Sequence, residues 1–324
     1  MADTNLEQAE YTIVFNQLTR KFGNTHAVDR LSFKVRPGEV FGFIGPNGAG
    51  KTTSMRILAT LDMPTHGEAW VDGFSVIDDP DRVRHRLGWM PDGFGTYPYV
   101  NCDEYLDFFA RSYGLRGNER RAALTRVMGF TQLDRLANKP IKGLSKGMKQ
   151  RLCLGRALIH DPAVLVLDEP AAGLDPRARI ELREMIAELA DQGKSLLVSS
   201  HILTELAEMC DRVGIIELGK LLAVGTVDEI LNRDRPAQQA ESRNIQLSVL
   251  SDPQVAREWL EQKEEINIRR VVINDIEFEF QGDDQQQSVL LKEILEAGIE
   301  VLSFSSKRQS LEDAFLSVTR GQVQ

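Results

Sequence analysis

The stretch Gly45-Pro46-Asn47-Gly48-Ala49-Gly50-Lys51-Thr52 has the form G-x-x-x-x-G-K-[ST]. It follows the apolar run at 40–44 and precedes a segment with helical spacing at 53–58. A strand, a glycine-rich loop and a helix in this order suit a polyphosphate, because glycines let consecutive backbone N–H groups face an anion and the helix presents its positive end. The stretch therefore predicts that the chain binds a nucleoside triphosphate.

Two side chains at the end of the loop have predicted roles of their own. Lys51 is expected to reach the β- and γ-phosphates, and Thr52 to offer its hydroxyl to Mg²⁺. The predicted nucleotide-binding residues of the loop are Gly45, Pro46, Asn47, Gly48, Ala49, Gly50, Lys51, Thr52 and Thr53.

Composition and charge narrow the class of protein. The 324 residues leave room for one large domain or two ordinary ones, and 42% hydrophobic with 27% charged residues is typical of a soluble globular protein. A spanning helix needs about 18 uncharged apolar residues in a row, and no run approaches that length. The acidic start lacks the apolar region of a signal peptide. The net charge of −9 argues against a nucleic-acid partner.

The region before the loop alternates apolar and polar side chains, as half-buried strands do. Residues 11–15 and 31–35 show this alternation, and the turn Arg36-Pro37-Gly38-Glu39 leads into the buried strand ahead of the loop. We expect residues 11–44 to form an antiparallel β-region, with a further strand and turn at 68–73.

Helical spacing begins after residue 100. Asn101 and Glu104 stand three positions apart, as in a capping box, and a second helix follows around Ala122 to Met128. We predict a helical subdomain over about 92–150, with an aromatic stripe in its core. The residues of that stripe are Tyr105, Phe108, Phe109 and Tyr113.

Two later apolar runs, at 164–167 and 195–198, predict strands of a parallel sheet separated by a helix at 177–191. Asp168 and Glu169 follow the first of these strands directly. At the end of a buried strand, Asp168 can hold Mg²⁺ while Glu169 accepts a proton from a water aimed at the γ-phosphorus. The pair could also be a plain strand-end couple, but the phosphate loop upstream favours the catalytic interpretation.

Leu144-Ser145-Lys146-Gly147-Met148 predicts a second anion site, because Ser145 is a natural N-cap of the helix that continues to Leu158. One nucleotide does not need two such sites from one subunit. We therefore expect this helix end to face the nucleotide of a second copy of the chain.

The last third of the chain begins with a polar stretch at 233–244, which predicts a linker. A β-α-β-β-α-β order follows, which predicts a small α+β domain of the ferredoxin-like type over 245–324. Its elements are expected at 245–250, 253–262, 266–273, 276–280, 285–297 and 299–304, with a last helix at 311–319.

Taken together, these motifs resemble the ATP-binding subunits of ABC transporters, over residues 11–232. The segment around Ser145 is similar to the signature loop of that family, Gly173-Leu174-Asp175 to its D-loop, and His201 to its switch histidine. The C-terminal part, through residues 310–316, is similar to the tail domain of drug- and polysaccharide-type exporter subunits.

The resemblance implies an α/β fold of the P-loop NTPase class, with a RecA-like core, an antiparallel β subdomain and a helical subdomain. It implies ATP hydrolysis with Mg²⁺ by a head-to-tail dimer that energises a separate transmembrane permease, on the cytoplasmic face of the cell membrane. Residues 1–10 are expected to be disordered. The alternative is a soluble ATPase of the translation or DNA-repair class, although such proteins carry a second module or a long coiled coil that this sequence lacks.

Site residues follow from the resemblance by position. Phe22 would stack on adenine, with a strand-end core aromatic as the alternative, and Val28 would pack beside the base or ribose. The expected catalytic groups are Lys51, Glu169 and His201, the last in contact with the γ-phosphate.

Ser145 and Gly147 would cap the nucleotide of the other copy, although Lys146 and Met148 stand where the family has glycine and glutamine. A second departure is Asp92, at a position that is glutamine in the family. We expect Asp92 to contact the water shell of Mg²⁺ and to tune metal dependence. The resemblance also implies that the segment at 92–100 receives the permease, with internal packing as the alternative.

Overall fold

The computed structural model describes residues 10–93, 95, 97, 99–232, 242–250 and 252–307. The predictions for residues 1–9 and for a last helix at 311–319 lie outside these residues. The chain divides into two compact units, and the change falls between Ile230 and Leu231.

The first unit contains ten strands and most of the helices of the described chain. Its strands are β1 (Ile13–Phe22), β2 (Thr25–Val35), β3 (Val40–Ile44), β4 (His66–Val71), β5 (Phe74–Ser75), β6 (Leu87–Met90), β7 (Val164–Leu167), β8 (Ser195–Ser200), β9 (Arg212–Glu217) and β10 (Lys220–Thr226). Its α-helices are α1 (Lys51–Leu58), α2 (Pro80–Arg86), α3 (Cys102–Ser112), α4 (Gly117–Phe130), α5 (Lys146–Leu158), α6 (Pro176–Asp191) and α7 (Leu203–Ala207), and α8 (Val227–Asn232) crosses into the second unit.

A six-stranded sheet in the order β10-β9-β3-β8-β7-β6 positions the site. All its neighbouring strands are parallel except β10, which runs antiparallel to β9. The strands β3, β7 and β8 are buried along their whole length, as expected when both faces of a parallel sheet are covered. The predicted parallel sheet is confirmed. The prediction that β3 belongs to an antiparallel region is wrong, because β3 lies between β8 and β9.

A separate antiparallel sheet has the order β2-β1-β4-β5. Its first two strands are longer than predicted, because irregularities interrupt the apolar alternation that sequence reasoning follows. Gln17 adopts a left-handed φ of 50° and the β1–β2 register shifts between Phe15 and Leu18. Arg30 has a φ of 52° in the partner strand. The strands continue beyond both irregularities.

The helical region begins with the predicted capping box. Asn101 Oδ1 accepts from the Glu104 backbone N–H at 2.8 Å, and Glu104 Oε2 accepts from the Asn101 N–H at 3.0 Å. The aromatic stripe is only partly core: Tyr105 is 1% exposed, whereas Phe108 is 57% exposed. The inner face of α3 is completed by smaller residues, Cys102, Leu106 and Ala110.

The second unit contains β11 (Ser242–Val249), α9 (Pro253–Glu261), β12 (Ile266–Val272), β13 (Asp275–Gln281), α10 (Asp284–Glu296) and β14 (Val301–Lys307). Its sheet has the order β12-β13-β11-β14, and every neighbouring pair is antiparallel. Its own apolar core includes Leu247, Leu260 and Phe278. β11 starts three residues earlier than predicted, because Ser242 to Asn244 already pair with β13.

Among the described residues, none of the helices combines the length and the apolar character that crossing a membrane requires.

Candidate functional site

The phosphate loop joins the end of β3 to the start of α1, and two of its glycines have no room for a side chain. A Cβ on Gly45 would collide with the carbonyl oxygen of Ile216. A Cβ on Gly50 would collide with the carbonyl oxygen of Ala27, and Gly50 also has a φ of 105°. Glycine is therefore required for the loop to take this path and to present its backbone to a ligand.

Lys51, the first residue of α1, is only 6% exposed. Its Nζ donates to the carbonyl oxygens of Gly45 at 2.6 Å and Pro46 at 3.2 Å, and it lies 3.7 Å from Glu169 Oε1. Burial lowers the pKa of Lys51, and the nearby carboxylates of Glu169 and Asp168 oppose this shift. The ammonium is thus fixed at the loop, between its first carbonyls and the acidic pair.

Asp168 directly follows the buried strand β7 and is 1% exposed. Burial raises its pKa, while hydrogen bonds from Ser199 and Thr52 act in the opposite direction. A buried carboxylate beside the Thr52 hydroxyl is an oxygen donor set of the kind that Mg²⁺ prefers. The described residues contain no group of three or more His, Cys, Asp or Glu side chains suited to a metal. Thr52 and Asp168 fit Mg²⁺, which proteins usually bind through one or two carboxylates together with phosphate and water.

Glu169 adopts a left-handed φ of 48°, which is uncommon for a residue with a side chain. Its Oε2 lies 2.7 Å from His201 Nδ1, and its Oε1 faces Lys51. His201 is half exposed, at 50% of its side chain. Lys51, Glu169 and His201, the three predicted catalytic residues, therefore lie together.

Ser199 connects the two acids, and sequence reasoning missed it. Its hydroxyl donates to Asp168 Oδ1 at 2.6 Å and accepts from the backbone N–H of Glu169 at 2.9 Å. Ser199 is fully buried near the end of β8. A polar pair, Ser199 and Ser200, directly after the apolar run at 196–198 is the signal that could have identified it.

A cleft of about 190 Å³ opens on the loop. The residues that line it are Ala27, Pro46, Asn47, Gly48, Ala49, Gly50, Lys51, Thr52, Thr53, Asp92 and Glu169. Most predicted nucleotide-binding residues of the loop thus face one cleft, and Asp92 reaches it from another segment. Ser145 and Gly147 are not among the described residues of its lining.

Phe22 and Val28, the two residues expected near the adenine base, differ in their solvent exposure. Phe22 is 51% exposed, and the Arg20 guanidinium lies 4.6 Å from the centre of its ring, so it is not a core aromatic. Val28 is fully buried in the hydrophobic core. The expected contact of Val28 with a base or ribose does not fit this position, and the neighbouring Ala27 lines the cleft instead.

The helix that follows the signature-like segment begins as predicted. The Ser145 hydroxyl accepts from the backbone N–H of Met148 at 3.3 Å, and Ser145 is exposed. The Lys146 ammonium lies against Gly173 of the D-loop-like segment, and Asp175 caps α6 by accepting from the Ala178 N–H at 3.0 Å. The start of α5 is therefore exposed at Ser145, while Lys146 and Gly147 lie close to the D-loop-like segment and the start of α6.

A protein family described as ABC transporter matches residues 28–172. The chain is 38% identical over 242 residues to the probable multidrug ABC transporter ATP-binding protein YbhF of Escherichia coli, and this match covers 74% of the chain but only 42% of YbhF. The chain is 35% identical over 315 residues to the Nod factor export ATP-binding protein I of Burkholderia thailandensis, which covers 96% of the chain and 98% of that protein.

A solved structure described as the dimeric structure of MJ0796, a bacterial ABC transporter cassette, matches with a TM-score of 0.60 and 25% identity, over 66% of this chain and 98% of that one. The chain therefore contains the fold of that cassette, as the family resemblance implied. With the long alignment to an export ATP-binding protein, this shows that the chain belongs to the family of ABC transporter ATP-binding proteins.

Proposed function

We propose that the chain hydrolyses ATP as one of a head-to-tail pair of copies, and that the pair energises a separate transmembrane permease in export. One observation carries the pairing: Ser145 and Gly147 stand outside the described lining of the cleft that holds the phosphate loop. The exposed start of α5, which Ser145 caps, favours an anion, and the nucleotide of a second copy supplies one.

Within one copy, the loop residues from Gly45 to Thr53 bind the phosphates through their backbone N–H groups. Lys51 places its ammonium on the β- and γ-phosphates. When the nucleotide binds, these phosphates replace Glu169 as the contact of the ammonium. Mg²⁺, when bound, neutralises charge on the phosphates and orients them. Thr52 and Asp168 would hold it, with Asp92 near its water shell.

Glu169 acts as the general base that orients the attacking water and takes its proton, a role that typically contributes about 10²–10⁴-fold. The close contact of Glu169 with His201 supports this role, because it holds the carboxylate in place at the cleft that Glu169 lines. His201, half exposed, then contacts the γ-phosphate and stabilises the charge that develops there. Ser145 and Gly147 of the other copy close the site.

Names of relatives support export: YbhF is described as a probable multidrug transporter protein and the Burkholderia protein as a Nod factor export protein. They do not favour a soluble translation or DNA-repair ATPase. A permease partner places the chain at the cytoplasmic face of the cell membrane, where the segment at 92–100 would meet it, and no nucleic acid takes part.

The remaining predictions extend this proposal. Phe22, with its half-exposed ring, is assigned to adenine. The cassette spans 11–232 with a helical subdomain over about 92–150, and an accessory domain follows the linker. The β-α-β-β-α-β order and the antiparallel sheet β12-β13-β11-β14 support a ferredoxin-like domain there.

Trapping the pair tests the proposal. Glu169→Gln keeps the shape of the side chain but removes the base, so it should bind ATP, stop turning over, and elute as a dimer on size-exclusion chromatography with Mg-ATP. Adding Ser145→Arg to Glu169→Gln should return it to a monomer. A Glu169→Gln protein that hydrolyses ATP at the parent rate would contradict the base assignment, and one that stays monomeric would contradict the pairing.

Asp92 needs a separate test. If its carboxylate contacts the water shell of Mg²⁺, Asp92→Gln should shift the Mg²⁺ concentration that gives half-maximal ATPase activity. An unchanged activity with an unchanged Mg²⁺ titration would remove this role.

A further inference from the structure

The chain turns tightly after Glu169 and leads into the D-loop-like segment Gly173-Leu174-Asp175. The backbone N–H of Ala172 donates to Glu169 O at 3.1 Å, and that of Leu174 to Ala171 O at 3.2 Å. These two short turns therefore connect Glu169 to the buried residue Leu174.

One side chain of α6 joins this segment to the helix that follows His201. Arg179 Nε donates to the carbonyl oxygen of Leu174 at 3.0 Å. The same guanidinium forms an ion pair with Glu205 of α7, with 3.0 Å between the nitrogen and Oε1. A guanidinium is planar and rigid, so it fixes both partners relative to each other.

The carboxylate of Glu205 depends on the Arg179 guanidinium as its counter-ion. The Glu205 side chain is only 12% exposed. Burial raises the pKa of Glu205, and the charges of Arg179 and His201 oppose that shift. A buried carboxylate that loses its ion-pair partner must be solvated again or protonated, and either change is unfavourable for the present position of α7.

We propose that Arg179 is a positioning residue for ATP hydrolysis, which holds the segment after Glu169 to the helix after His201 and so preserves the contact between these two side chains. That contact is the 2.7 Å approach of Glu169 Oε2 to His201 Nδ1. The inference rests on the proposed function, because it assigns Arg179 a role in that reaction.

The chain provides a matched control one helical turn further along α6. Arg183 forms an ion pair with Glu208, at the end of α7. Among the described contacts, Arg183 has none to the D-loop-like segment, whereas Arg179 does. Substitution of Arg183 therefore removes an ion pair between the same two helices without releasing Leu174.

The experiment compares Arg179→Gln, Arg179→Lys and Arg183→Gln in the full chain, by ATPase kinetics, by binding of a fluorescent ATP analogue and by thermal unfolding. Arg179→Gln should lower kcat by about 10- to 100-fold, the cost of misplacing a reacting group by about 1 Å. Its Kd for the analogue should change less than twofold. Its melting temperature should fall further than that of Arg183→Gln, because Glu205 is buried whereas Glu208 is exposed, so kcat is compared at a temperature where all variants remain folded. Arg179→Lys should not restore kcat, since one ammonium cannot fix both partners.

A double-mutant cycle with Glu205→Gln adds a second readout. If the pair acts as a unit, the kcat losses of Arg179→Gln and Glu205→Gln should not multiply in the double variant. The inference is overturned if Arg179→Gln keeps the kcat of Arg183→Gln, or if its Kd rises as much as its kcat falls. It is also overturned if Arg179→Lys is fully active, or if the kcat losses of Arg179→Gln and Glu205→Gln multiply. Failure of the proposed function is distinguishable, because the wild-type chain would then show no ATPase activity at all.

Discussion

Ser199 gives the sharpest prediction about the catalytic centre. Ser199→Ala removes the hydroxyl that donates to Asp168 Oδ1 and that accepts from the Glu169 backbone N–H. A hydrogen bond to a charged group contributes about 1.5–3 kcal/mol, and a buried N–H left without a partner costs about 1–3 kcal/mol. Since partial relaxation offsets some of this, we expect the free energy of unfolding to fall by about 2–4 kcal/mol.

The catalytic effect should exceed what stability explains. Loss of a residue that orients a metal-binding carboxylate typically costs about 10- to 100-fold in activity or metal affinity. Without the Ser199 hydroxyl, the pKa of Asp168 should rise further above its ordinary value, so the acidic limb of the pH–rate profile should move to higher pH.

Ser195→Ala is the matched control, since Ser195 is a fully buried serine of the same strand. Its hydroxyl donates to Arg36 O at 3.1 Å and accepts from the Gly38 N–H at 3.1 Å, away from both acids. Urea unfolding and ATPase assays on both variants decide the matter. Equal loss of stability with equal activity in the two variants would refute the role of Ser199.

Three further predictions concern stability and domain organisation. Asp168→Asn should raise the melting temperature of the Mg²⁺-free protein at neutral pH, because burial raises the pKa of Asp168. This gain in melting temperature should shrink as pH falls through the raised pKa, and a gain that grows on acidification would be inconsistent with this cause. Gly50→Ala should destabilise the protein by about 1–3 kcal/mol and abolish ATP binding, since the φ of Gly50 is 105° and its Cβ would meet Ala27. Gly129→Ala, inside α4, should be tolerated, because a Cβ there would meet nothing closer than 3.9 Å. A stable, ATP-binding Gly50→Ala protein would count against the loop geometry. A chain that ends at residue 235 should remain a folded ATPase by circular dichroism and phosphate release, and failure to obtain it in soluble form would argue against independent units.

Local signals in the sequence were sufficient for several features. The phosphate loop, the capping box at Asn101 and the Ser145 cap each depend on residues within a few positions of one another, and all three are present in the structure. The buried strand at 164–167 was also located correctly, because a short continuous apolar run has few other uses.

Features that depend on distant contacts could not be predicted in this way. The bond from Ser199 to Asp168 spans 31 positions, and a serine at a strand end gives no sign of its partner. The strands β6, β9 and β10 were not predicted, although they complete the main sheet. The family resemblance implied that Val28 contacts the nucleotide, but Val28 packs in the hydrophobic core.

The central claim is that each catalytic centre is shared between two copies, and mixing two inactive variants tests it most directly. Lys51→Ala lacks the phosphate-binding ammonium but keeps Ser145, while Ser145→Arg lacks the capping end but keeps Lys51. In a mixed pair, one centre combines Lys51 of one chain with Ser145 of the other. ATPase activity should therefore reappear on mixing, at about one quarter of the wild-type rate per chain when pairing is random. A mixture as inactive as its components, or a Ser145→Arg protein as active as the wild type, would contradict the account.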